Sequence, residues 1–306
     1  MTPDADRRAA VAFRERIITE IFYALGRRRS GPARRLLGPL FRPPAGRLAR
    51  IAAKADAEAG RTGISGAARL ILPDLGLRPT ARGAEAIPSE GPLILVSNHP
   101  GAFDSVAILA SVPRPDIKVF IDDVPFTRLF ADASRYFLYV PKTPGGRQSS
   151  LRAGIDHLAA GGSVLIFAHG DVEPDPELTP GASEVIGDWS RSLEIMARRV
   201  PQAWLQTAIV SGVLMAKFLR SPVVRLRRTP VQRQKLAEVL QISRQMLRPR
   251  SVRLDVHLSF GRPVRAGDLA GEHFMPAVVG RARALLEEHM SWLGPRPGPP
   301  LPSRPI

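Results

Sequence analysis

The sequence contains no cysteine, which excludes disulfides, thiol nucleophiles and cysteine-based zinc or iron–sulfur centres. Six histidines leave only histidine or carboxylate metal sites, no H-E-x-x-H occurs, and no metal is expected. No uncharged apolar run reaches the ~18 residues of a spanning helix. The first residues lack the charged-then-apolar pattern of a secretory signal. The G-x-S-x-G nucleophile elbow, the G-x-x-x-x-G-K-[ST] phosphate loop and a G-x-G-x-x-G after a strand are all missing, as are the aromatic-interleaved basic motifs of RNA recognition. Hydrolase, P-loop and dinucleotide chemistries lose their sequence support together.

What remains is a globular balance over 306 residues, 44% apolar and 24% charged, with a net charge of +16. Lysine occurs at only five positions, so 39 of the 44 cations are arginine, a bias that the many Ala, Gly and Pro residues share. The placement of charge says more than its total. Residues 1–61 hold 14 cations and 6 acids, residues 220–253 hold 10 cations and one acid, and everything else nets −1. Charge confined to two segments points to an anionic surface partner, either lipid or nucleic acid.

Along the chain, Phe13, Ile17, Ile18, Ile21, Phe22 and Leu25 fall at helical spacing, so 8–25 reads as an amphipathic helix closed by Gly26 and Arg27–Arg29. Residues 30–47 are basic and broken by Pro32, Pro39, Pro43 and Pro44, and 47–72 is helical but interrupted by glycines. From about residue 80 short apolar runs (93–96, 117–121, 137–140, 164–167, 204–210) alternate with helical stretches (104–111, 147–160, 186–199), which predicts an α/β fold with a largely parallel sheet flanked by helices. The alternation over 252–260 reads as a half-exposed strand near a sheet edge, with His257 in its surface phase. A final helix is expected over 274–293. The expected organisation is a basic helical N-terminal region (1–75), one α/β domain (76–293) and a disordered Pro-rich tail (294–306).

The chemistry concentrates in Leu93-Ile-Leu-Val-Ser-Asn98-His99-Pro100-Gly101-Ala-Phe-Asp104. A buried strand ends and a helix begins, the place where open α/β sheets form their sites. His99 and Asp104 are five apart, about 140° around a straight helix. They meet only if His99 lies on the loop and Asp104 in the first helical turn, with Pro100 and Gly101 supplying the bend. Asp104 then accepts from one ring nitrogen and leaves the other as a general base.

This stretch resembles the glycerolphosphate and lysophospholipid acyltransferase family, whose N-H-x-x-x-x-D block is matched by Asn98, His99 and Asp104. Phe137–Lys142 resembles the family's second block, with Lys142 where arginine is usual. Val164–Asp171 resembles the third, keeping Gly170 but carrying Ala168 and His169 where the family has Pro and Glu. Val200-Pro201 with 207–210, and Phe260–Pro263, are fainter counterparts of later blocks, and the resemblance spans about 80–293. It implies that His99 deprotonates an acceptor hydroxyl, that Asp104 orients the imidazole, and that the oxygen attacks the thioester of an acyl-CoA or acyl-carrier protein, with no further cofactor. It implies backbone N–H groups over 101–104 as an oxyanion site, and Lys142 and Arg147 as partners of a head-group phosphate. Glu173 or Asp171 would take the polar part of the missing Glu, with His169 and Gly170 lining the acceptor pocket. The expected setting is cytoplasmic and peripheral, on the inner face of the cell membrane, reached through helix 8–25 and residues 220–253. The competing expectation is a non-catalytic or nucleic-acid-associated basic protein on a degenerate acyltransferase fold.

Overall fold

The computed structural model describes residues 3–24, 32–269 and 273–294. The helices are α1 (Pro3–Ala24), α2 (Pro32–Ile71), α3 (Asp104–Ser111), α4 (Pro144–Ala159), α5 (Ala182–Ile186), α6 (Ser192–Arg199), α7 (Ala216–Leu219), α8 (Pro222–Arg225), α9 (Pro230–Leu247) and α10 (Phe274–Leu293). The strands are β1 (Leu77–Arg82), β2 (Leu93–Ser97), β3 (Lys118–Asp122), β4 (Phe137–Val140), β5 (Ser163–Phe167), β6 (Trp204–Ser211), β7 (Leu254–Phe260) and β8 (Val264–Arg265). The chain divides into two compact units. One gathers the residues up to Arg78 with 124–134 and 214–254; the other gathers 79–123, 135–213 and the residues from Asp255 onward. The Gly26–Arg29 helix end and residues 295–306 of the Pro-rich tail lie outside the described residues.

The second unit is built on a sheet of order β1-β7-β6-β2-β5-β3-β4, with β8 paired to β6. Strands β6, β2, β5, β3 and β4 run parallel, so their carboxyl ends share one edge. β7 and β8 are antiparallel to β6. Every residue of β2 is buried, as a central parallel strand covered on both faces must be. Ile94, Val96, Val164, Ile166, Leu205 and Ile209 pack one face against Leu158 of α4, Leu193 and Met196 of α6, and Phe274, Val278 and Leu285 of α10. β7 lies near the sheet's margin as expected, with β1 alone outside it. β1 was not expected at all: Leu-Arg-Pro-Thr-Ala-Arg offers no alternation, and a proline with flanking arginines suits a strand at a sheet's margin. The helix expected over 186–199 is split, because Trp189 turns inward between α5 and α6 and is buried.

In the first unit α2 is helical through Pro39, Pro43 and Pro44, and its break falls at Gly63 (φ 82°, ψ 172°) instead. Tertiary packing outweighs the cost of the prolines: Ala45, Ala49 and Ala52 of α2 are buried with Phe13, Ile17, Ile18 and Phe22 of α1. Phe13 meets Phe126 and Phe130 edge-to-face at 5.7 and 5.0 Å, and Phe22 meets Phe41 at 5.8 Å. This corrects the expectation that the apolar stripe of 8–25 faces lipid, because the chain's own side chains cover Phe13, Ile17, Ile18 and Phe22; Leu25 lies outside the described residues. The basic segment 220–253 carries α9, whose buried Gln234, Gln241 and Gln245 obscure the helical apolar period in the sequence.

Candidate active site

β2 delivers Asn98 and His99 to the carboxyl edge, and α3 begins five residues later with Asp104 in its first turn. His99 Nδ1 and Asp104 Oδ2 lie 2.7 Å apart, with Asp104 fully buried and the His99 side chain 27% exposed. The loop-to-helix bend anticipated from Pro100 and Gly101 is therefore present. The carboxylate of Asp104 also accepts from the backbone N–H of Gly101 at 3.0 Å and of Ser105 at 2.5 Å. The Asp104 N–H lies 3.5 Å from the Gly101 carbonyl. The N–H groups of Gly101 and Asp104 are thus engaged within the turn. The Phe167 ring, at the end of β5, lies tilted against the imidazole at 4.6 Å between centroids and covers one of its faces.

Asn98 is 2% exposed. Its amide donates to the Val210 carbonyl at 2.9 Å and its Oδ1 accepts from the Val210 N–H at 2.8 Å. The β2–β6 ladder pairs Ser97 with Ala208, and beyond that point the Asn98 side chain supplies the donor and acceptor that a further strand residue would. The backbone is thereby released to turn at His99 without orphaning Val210.

The acidic turn after β5 braces the site: Asp171 is exposed, but Glu173 and Asp175 are buried. Glu173, expected to meet substrate, is 1% exposed. Its Oε1 accepts from the His99 N–H at 3.2 Å, its own N–H donates to the His99 carbonyl at 2.7 Å, and Trp189 Nε1 lies 3.4 Å from its Oε2. Burial raises its carboxyl to about 7, against the lowering effect of the Trp189 and His99 contacts. Asp175 is buried and accepts from the N–H groups of Glu177, Gly212 and Val213 at 3.0, 3.2 and 3.1 Å. Burial, with the nearby Glu177 charge, raises its carboxyl to about 7 as well. Glu177 lies 2.7 Å from His257 Nδ1 and accepts from the Ser211 hydroxyl, whose oxygen is 2.8 Å from His289 Nε2. His257 is therefore a member of a polar network and not the surface residue expected. His289, wholly buried, is lowered to about 4, first by burial and then by His257 and Arg82.

The remaining candidates share the edge at a distance. His169 and Gly170 form the turn after β5, with His169 Nδ1 3.3 Å from the Asp171 carbonyl and Gly170 at φ 78°. Lys142 is exposed at the end of β4, and Arg147 is exposed in the first turn of α4. β4 lies three positions from β2 in the sheet, roughly 14 Å at the usual strand spacing. Phe167 and Trp189, which shape and support the histidine, carry no spacing signal in the sequence.

Residues 78–187 match the protein-family model described as Acyltransferase. The segment that holds the His99–Asp104 pair is therefore the part of the chain that is similar to acyltransferases. The match coincides with the resemblance carried by Asn98, His99 and Asp104. Among solved structures, the chain is similar to the 1-acyl-sn-glycerophosphate (LPA) acyltransferase PlsC from Thermotoga maritima, at 16% identity and a TM-score of 0.46, over 89% of this chain and 95% of that one. No curated protein sequence matches.

Proposed function

We propose that the protein moves a fatty acyl group from an acyl thioester, on CoA or a carrier protein, to a hydroxyl of a lysolipid or glycerol-phosphate-like acceptor, with His99 as general base. One observation carries this reading: Nδ1 of a part-exposed histidine stands 2.7 Å from a buried aspartate, at the carboxyl edge of a parallel sheet, inside the acyltransferase segment. With Nδ1 fixed by Asp104, Nε2 is the atom that takes the acceptor's proton, and the imidazolium so formed sits against the carboxylate. The alkoxide attacks the thioester carbon, the tetrahedral intermediate collapses, and the thiolate leaves with the proton returned by His99. Lys142 and Arg147 would hold an acceptor phosphate along the same edge. His99→Ala should lower turnover by about 10²–10⁴ while the melting temperature stays within a degree or two of wild type. Turnover above a tenth of wild type would remove His99 from the role.

The same reading places the enzyme on the surface of an anionic membrane. Among the described residues no helix is long and apolar enough to cross one. Support comes from exposed apolar residues set among arginines: Leu36 and Leu40 beside Arg35 and Arg42, and Val223 and Leu226 beside Arg225, Arg227 and Arg228. Such residues can enter the headgroup zone while each basic side chain adds about 1 kcal/mol.

A further inference from the structure

The first unit contains a cavity of about 640 Å3 to which no residue of the His99 site contributes. Its lining brings together four arginines, Arg47, Arg78, Arg250 and Arg253, from α2, the start of β1 and the loop after α9. The single acidic residue of the lining, Asp74, lies 2.7 Å from Lys54, so its charge is matched outside the cavity. Four arginines in the lining of one concavity suit an anion with several oxygens, which is the chemistry of a phosphate group.

Two further observations point to a ligand. Arg47 Nε and Gln245 Oε1 are buried without a hydrogen-bond partner, although the Gln245 amide donates to the Leu75 carbonyl at 2.9 Å. Gln245 is 4% exposed. A buried donor and a buried acceptor are thus left unsatisfied in the lining of the same cavity, an arrangement that native interiors rarely retain without a function. In addition, Arg250 has φ 72°, and it is the only non-glycine residue with positive φ among those described. Arginine gains nothing locally from that conformation, and strained residues of this kind gather at ligand sites. Here the strained residue is part of the cavity wall.

We propose that this cavity is a binding site for a phosphorylated ligand: its phosphate oxygens bind the arginines, and a hydroxyl on or beside the phosphate donates to Gln245 Oε1. The site is separate from the acyl-transfer reading and does not depend on it. The ligand is a free phosphorylated small molecule or the phosphomonoester headgroup of a lipid.

The test is calorimetric titration of the full chain with inorganic pyrophosphate, beside sedimentation with vesicles containing phosphatidic acid or, at matched surface charge, phosphatidylglycerol. Saturable pyrophosphate binding identifies a free ligand. A preference for phosphatidic acid over phosphatidylglycerol, without pyrophosphate binding, identifies a lipid headgroup. Arg250→Gly separates site from fold, because glycine accepts φ 72° freely: the melting temperature should hold or rise while binding weakens about ten- to a hundredfold. Arg253→Ala should weaken it similarly. The proposal is overturned if pyrophosphate does not bind and the two vesicle types bind equally. It is also overturned if Arg250→Gly binds as wild type does.

Discussion

Glu173 is the residue whose environment should be measurable most directly. Burial raises its carboxyl from 4.5 to about 7, so the folded protein holds a proton there that the unfolded chain releases at lower pH. The stabilisation linked to that proton is complete below about 4.5 and is lost as pH rises through 7; at about 1.4 kcal/mol per pH unit it is worth roughly 3 kcal/mol. Asp175, raised in the same sense by burial, adds to the loss. His289 opposes it, because its folded value lies below its unfolded one and its contribution is lost as pH falls from 6.5 to about 4. Glu173→Gln keeps a neutral group beside His99 at every pH. The difference in urea midpoint between pH 5 and pH 8 should therefore shrink in the variant, and an unchanged difference would show that Glu173 is already ionised when folded. The His99–Asp104 pair was legible in the sequence because both residues and the intervening bend lie within one short segment. Glu173 was legible only as an acid in a turn, since its partners are a backbone N–H 74 positions away and a tryptophan with no motif around it.

At the scale of elements, the sequence shows what apolar period can show. The strands at 93–97, 137–140 and 204–211 and the helices at 104–111 and 274–293 fall where the periodicity puts them. β1 and α9 do not announce themselves: one is a polar strand containing proline, the other a helix that buries glutamines. The position of an element's partner is harder still to read. The stripe on α1 has the same pattern whether lipid or protein covers it, and only the fold shows Phe13 against Phe126 and Phe130. Phe13→Ala should cost about 3–5 kcal/mol, read as a fall in urea midpoint, with binding to anionic vesicles per folded molecule unchanged. A variant that stays stable but loses vesicle binding would return the stripe to the membrane.

For the whole molecule, the +16 net charge is concentrated enough to act as a surface property. Reversing Arg225, Arg227 and Arg228 to Glu should weaken sedimentation with anionic vesicles strongly and with neutral ones hardly at all. Salt should mimic the change in the wild type, since the attraction is screened over about 8 Å at physiological ionic strength. Equal loss on both vesicle types would point to Leu226 and its apolar neighbours as the dominant contact. The link between Asn98 and Val210 reaches across 112 residues of sequence, and its consequence is temporal. During synthesis His99 emerges long before Val210, and until β6 has been made and docked beside β2 the loop bearing the histidine lacks the anchor that Asn98 provides. Contacts so distant in sequence form late because chain closure must precede them. The geometry around His99 is therefore among the last features to be completed, and a nascent chain that has already exposed its histidine does not yet hold it in place.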